Sequence, residues 1–177
     1  MTLPHTSMRR IYSIIQGVDL SQRMLEKCVI RGCYNSLVLG DAVEFLESVK
    51  TSSVDAIIAA DVFIYVGDLM KIFKSSYKVL KEKNSILIFT IEEMTINSVE
   101  SVIPNDYIND ITANTNFDKI VENGFQLREC GRFCHSEKYI RHLANELGFD
   151  VISAEKHFIR LQSEIPVRSV TFVLSKI

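Results

Sequence analysis

Gly17-Val18-Asp19-Leu20-Ser21-Gln22-Arg23-Met24-Leu25-Glu26-Lys27-Cys28 is the stretch on which the reading of this chain turns. It follows the apolar run Ile11-Tyr12-Ser13-Ile14-Ile15. An apolar run that ends in an acid, then a serine that opens a helical pattern, reads as strand, turn and capped helix. The strand is expected over Ile11–Val18 and the helix over Gln22–Arg31, with Ser21 as N-cap. Met24, Leu25, Cys28 and Val29 recur at helical spacing and are expected to face a sheet. Gly32 stands where glycine favours the end of a helix. An acid at the carboxyl end of a parallel strand is well placed to hold the two hydroxyls of a ribose, which singles out Asp19.

Working outward, strands and helices keep alternating. Ser36–Leu39 reads as a second short strand closed by Gly40-Asp41, and Ala42–Ser48 as a short helix. Val54–Ala60 is near-continuously apolar, which suits a strand covered on both faces, and it ends at Asp61. Val62–Gly67 is expected to be an apolar loop. Asp68 can cap a helix over Leu69–Leu80, whose buried stripe is Leu69, Ile72, Phe73, Ser76, Tyr77 and Leu80. The lysines between them, Lys71, Lys74 and Lys78, read as a solvated face rather than a nucleic-acid patch. Ser85–Ile91 is the next strand, ending at Glu92-Glu93.

The composition shifts at Met94–Asn123, which is polar, rich in Asn, Asp, Thr and Ser, and weakly periodic. A segment of that length inside one domain is expected to pack as an insertion or lid over the strand ends. Phe125–Arg128 reads as a short strand and Gly131–His135 as a loop. Ser136, with Tyr139 three residues on, starts a helix over Glu137–Leu147 that Gly148 stops. Strands over Phe149–Leu161 and Val167–Leu174 flank a short connection that holds Pro166, so this pair is expected to be an antiparallel hairpin. The whole is an α/β, Rossmann-like, doubly wound and mostly parallel sheet with an antiparallel C-terminal hairpin, in a single domain spanning residues 1–177.

Composition excludes several classes. The chain has 177 residues, 47% hydrophobic and 24% charged, which is ordinary for a globular protein and too apolar for disorder. A net charge of −2 gives no electrostatic hold on nucleic acid or an anionic membrane. No apolar run approaches the roughly 20 residues of a membrane span. Met1–Arg10 lacks the apolar core of a secretory signal, so a cytoplasmic location is expected. Of the four cysteines, Cys28, Cys33, Cys130 and Cys134, no pair has Cys-x-x-Cys spacing. Reduced thiols and no metal are expected, although His135 follows the second pair.

Four stretches, GVDLSQRMLEKC, LVLGDAVEFL, AADVFIYVGDL and GRFCHSEKYIRHLANELGF, together resemble a class I S-adenosylmethionine-dependent methyltransferase, in their order and spacing. The resemblance is nearest to methyltransferase domains of the kind often fused to tetratricopeptide repeats in bacteria. It implies S-adenosylmethionine as cofactor, with methyl transfer to an unknown small-molecule or protein acceptor. Asp19 matches the acid that binds the ribose hydroxyls, or alternatively is a turn acid before the helix. Leu20 and Ser21 flank the adenine. Asp41, followed by Ala42, matches the acid near the adenine amino group, or caps the helix that Ala42 opens. Asp61 matches the segment beside the sulfonium and substrate, as a base or orienting group, or is a loop acid. His135 lies in a loop that can face the substrate as a general base, or merely sits beside the helix N-cap.

One departure from the family pattern shapes the expectations. The family opens with a strand, a glycine-rich acidic loop and a helix, where backbone N–H groups meet the methionine end of the cofactor. Met1–Arg10 is too short to supply all three, so the chain reads as N-terminally incomplete, with that first strand and helix absent. This implies impaired activity, exposed sheet edges and self-association. The contrasting reading is a truncated or degenerate, catalytically inactive domain acting as a partner or scaffold. A third is a different nucleotide-binding module, because dinucleotide binders also place an acid after a strand.

Overall fold

Parallel pairing of β1 (Gln16–Asp19) with β2 (Ser36–Leu39) opens the structure, with Gln16 opposite Ser36 and Asp19 opposite Leu39. The computed structural model describes residues 14–94, 123–162 and 165–177. These fall into two compact units, one up to Ser48 and one from Val49 onward. The expectations for Met1–Arg10, and those for the insertion apart from its end residues Met94 and Asn123, lie outside the described residues.

In the first unit, α1 (Gln22–Arg31) and α2 (Ala42–Ser48) follow their strands as the sequence suggests. Ser21 caps α1, its Oγ accepting from the Met24 amide at 3.4 Å, and Gly32 ends it at φ 65°. Among the described residues the first strand begins at Gln16, later than expected, since Ile14 and Ile15 lie outside it. Asn35 intervenes: its Oδ1 accepts the Ile15 amide at 2.7 Å, and its own amide donates to the Ile15 carbonyl at 2.7 Å. A side chain thus takes the bond that would continue the ladder, which begins at Gln16. Of the four residues expected on the inner face of α1, only Leu25 is buried, and Val29 is 66% exposed. Strands of four residues give a helix little surface to cover.

The second unit is built on one sheet in which β4 (Ile86–Glu93) is central. β3 (Ala56–Ala59) runs parallel along the first half of β4, and β6 (Phe133–His135) parallel along its last two residues. On its other edge β8 (Ile165–Lys176) is antiparallel, and β7 (Phe149–Gln162) pairs antiparallel beyond it. β5 (Phe125–Leu127) closes the end beside β6. The terminal hairpin is therefore as expected, although both strands run past the expected bounds. The expected Gly131–His135 loop is instead half strand. Phe133, Cys134 and His135 pair with β5 on one side, and Cys134 and His135 with Glu92 and Glu93 on the other. Long-range pairing supplies what three residues cannot signal locally.

A turn of 3-10 helix (Phe63–Tyr65) replaces half of the expected apolar loop after β3. It leads to α3 (Met70–Val79), with Leu69 and Leu80 at its ends, and α4 (Glu137–Leu147) follows β6. Leu69, Ile72, Phe73, Ser76 and Leu80 are all buried, as their spacing implies. The core is aromatic: Phe89 stacks on Phe172 at 5.4 Å between ring centres, and Phe63 and Phe73 pack against it at 5.0 and 5.3 Å. The strand expected to be covered on both faces is not. Ala59 is buried, but Ile58 is 72% exposed, because among the described residues nothing packs on that side.

Candidate functional site

Asp19 ends β1, and its Oδ1 accepts the Ser21 amide at 2.7 Å. The carboxylate therefore shapes the turn into α1, while its second oxygen has no partner among the described residues. Next to it Leu20 is 75% exposed. At the end of the adjacent strand, Asp41 Oδ1 accepts the amides of Val43 and Glu44 at 2.8 and 3.2 Å. Asp41 is thus the N-cap of α2, which Ala42 opens. The Gly40 amide donates to the Asp19 carbonyl at 3.1 Å. The first unit accordingly brings Asp19, Leu20, Ser21, Asp41 and Ala42 to one end of a two-stranded parallel sheet. Both carboxylates have a structural duty through Oδ1 and an Oδ2 left over.

Asp61 and His135 belong to the second unit. Asp61 follows β3 with φ 55°, a left-handed conformation that non-glycine residues seldom adopt. Thr90 on β4 fixes it: the Asp61 amide donates to Thr90 Oγ1 at 2.8 Å, and that hydroxyl faces Asp61 Oδ1 at 3.5 Å. The Asp61 side chain is exposed.

His135 is fully buried on β6. Its Nε2 lies 2.9 Å from the Gly67 carbonyl, which can only accept, so Nε2 carries the proton. Its Nδ1 is then a bare acceptor, buried and without a partner among the described residues. Burial holds the imidazole below its ordinary pKa of 6.5, against the opposing pull of the Gly67 carbonyl, so the ring is neutral. Tyr139 stacks beside it, with ring centres 6.2 Å apart. The Tyr139 hydroxyl donates to Asp68 Oδ1 at 2.9 Å and accepts the Leu69 amide at 2.9 Å. Burial, with the Asp68 carboxylate, pushes that phenol well above its usual range. Asp68 Oδ1 also accepts the Met70 amide at 2.9 Å, but it stands one residue ahead of Leu69, which is the N-cap of α3 in place of the expected Asp68. Gly67 has no room for a side chain, since a Cβ there would lie 2.8 Å from the Phe133 ring and 2.9 Å from that of Phe125.

Sequence reading missed Thr90, Gly67 and Tyr139. The Gly67-Asp68 pair before a helix and the Ser136-x-x-Tyr139 spacing were the available signals, and each reads locally as capping alone. Glu92 is buried and its Oε2 is bound by Arg128 at 2.8 Å, an ion pair at the carboxyl end of β4. The Cys134 thiol is pushed up to about 11 by burial, and so is neither nucleophile nor ligand at neutral pH. Among the described residues no group of three His, Cys, Asp or Glu side chains is arranged to hold a metal, and no helix is long and apolar enough to cross a membrane.

Comparison with known proteins bears on the family. Residues 3–88 match the family described as "Methyltransferase domain". No curated relative matches the chain in sequence. Among solved structures, an S-adenosylmethionine-dependent methyltransferase from Methanosarcina mazei superposes with a TM-score of 0.62 at 16% identity, covering 92% of this chain and 81% of that one. One from Archaeoglobus fulgidus gives 0.56 at 13%, with 91% and 75% covered. Magnesium protoporphyrin IX methyltransferase from Synechocystis, solved with bound SAH, gives 0.58 at 15%, with 93% and 64% covered. These likenesses, at low identity, speak for the fold. Residues 3–88 thus match a methyltransferase domain in sequence, and the chain has the fold of the S-adenosylmethionine-dependent methyltransferases.

Proposed function

We propose that the chain binds S-adenosylmethionine through its first unit and serves methyl transfer to an acceptor of unassigned identity. The observation that carries this reading is the pair of spare carboxylate oxygens at one end of β1 and β2. Asp19 Oδ2 is free to accept both hydroxyls of a ribose, since Oδ1 already holds the turn. Exposed Leu20 offers an apolar surface to a purine, and Asp41 Oδ2 an acceptor for an exocyclic amine. The residues present thus fit the adenosine half of the cofactor. When bound, the cofactor supplies a methyl group on a sulfonium, a good leaving group, so that positioning rather than acid–base chemistry provides most of the rate. Asp61 is the residue we assign to orienting the acceptor. His135, buried and neutral, supports that segment from behind.

Titration calorimetry tests the reading. Wild-type protein is expected to bind S-adenosylmethionine in the micromolar range. Asp19→Ala should weaken binding at least tenfold, in line with the roughly 1.5–3 kcal/mol of a hydrogen bond to a charged group. Absence of any heat with S-adenosylmethionine rejects the proposal, and binding of NAD in its place would move the chain to the dinucleotide binders.

A second reading, an inactive domain acting as a partner or scaffold, draws on exposed Ile58 on β3. That strand pairs only with β4 among the described residues, so it offers an open, apolar edge to another chain. Light scattering distinguishes them: a monomer with cofactor affinity argues for the first, and an oligomer without it for the second.

A further inference from the structure

The segment from Asp61 to Leu69 crosses the carboxyl end of the sheet, and four bonds from other elements fix it. At its start, Thr90 of β4 takes the Asp61 amide at 2.8 Å. At its far end, His135 of β6 holds the Gly67 carbonyl at 2.9 Å. Tyr139 of α4 holds both Asp68 and the Leu69 amide at 2.9 Å. Between these ends Phe63 and Ile64 are sunk into the core, whereas Asp61, Val62 and Tyr65 are exposed. The inner residues anchor the segment while the outer ones face solvent.

We infer that Thr90, His135 and Tyr139 are positioning residues that hold this segment as a preformed wall, with Asp61 presented in a fixed direction. The role rests on the methyltransferase reading, in which Asp61 orients the acceptor. Three features make it more than ordinary packing. Asp61 is kept at φ 55°, a strained left-handed conformation that its surroundings hold in place. His135 spends its only ring N–H on a backbone carbonyl, leaving Nδ1 buried with no partner among the described residues. Gly67 lies so close to the Phe125 and Phe133 rings that a side chain there would meet them at 2.9 and 2.8 Å, so only glycine fits the segment at this point. A buried imidazole with one unsatisfied nitrogen is an expensive way to fill space. It is a good way to hold one carbonyl in one direction.

Residue-resolved amide exchange on the whole chain tests this. In Tyr139→Phe, which keeps the ring stack, exchange at Leu69 should rise at least tenfold, while the β8 amides of Phe172 and Leu174 change less than twofold. Thr90→Val should do the same at Asp61. His135→Gln retains a side-chain N–H donor and should preserve protection at Val66 and Leu69, whereas His135→Leu should lose it. Equal acceleration in β8 and in the segment, no acceleration at all, or His135→Gln behaving as His135→Leu would each overturn the inference. None of these readouts needs the cofactor. Failure here leaves the S-adenosylmethionine titration standing, and failure of that titration leaves this result standing.

Discussion

Protonating His135 costs the fold, because its ring is fully buried and desolvation holds the charged form off. In the unfolded chain the imidazole titrates at its ordinary value of 6.5, and in the folded chain at a lower one. Below pH 6.5 the unfolded state therefore takes up a proton that the folded state refuses. The stability is fully present above that pH and falls as the solution is acidified towards the lowered folded value. Thermal melts from pH 7.5 down to pH 5 should show this decline, and it should be shallower in His135→Gln even though the variant is less stable at neutral pH. At this scale the sequence was legible wherever a residue acts on its near neighbours. Ser21, Gly32, Asp41, Ser136 and Gly148 all cap helices, through amides at most four residues away. It was illegible for His135, whose partner Gly67 is 68 residues distant. Nothing in Cys134-His135-Ser136 says whether that ring meets solvent or a carbonyl.

Between elements, α3 and β8 are joined by a lysine. Lys176 is only 7% exposed. Its ammonium donates to the carbonyls of Tyr77 and Leu80 at 3.0 Å each and lies 4.3 Å from the centre of the Tyr77 ring. Those carbonyls end α3 and have no further helical turn to bond them, and the negative end of the helix dipole favours a cation there. Glu82 also meets Lys176, at 3.0 Å, but its side chain is 70% exposed. Lys176→Met keeps the length of the side chain and removes the donors. It should destabilise the protein by about 1–3 kcal/mol, the cost of leaving buried acceptors unmade, whereas Glu82→Gln should cost little, as exposed pairs do. Urea denaturation of the two variants checks the contrast. Elements with a strong period, α1, α3 and α4, were legible to within a residue or so. The strand β6 was not, because pairing with β4 and β5, rather than alternation in Phe133-Cys134-His135, makes it a strand.

Over the whole molecule, alternation of strand and helix followed by a terminal hairpin was enough to name the α/β class, and the parallel pairs β1–β2 and β3–β4 agree with it. How far each strand would be covered was not legible. Ile58 reads in sequence as fully enclosed and is open in the structure. Burial depends on what packs above a strand, and the residues of the strand carry no record of that. Strand order has another consequence, for how the protein is made. β8 lies between β4 and β7, and it is the last of the three to leave the ribosome. Until Ile165–Lys176 emerge, β4 has one unpaired edge and Phe89 lacks Phe172, so the second unit cannot close before β8 is available. A nascent chain stalled after Gln162 should be degraded rapidly in a pulse of protease. The same chain released with β8 outside the exit tunnel should resist it, and protection already present in the stalled chain would show that folding does not wait for β8.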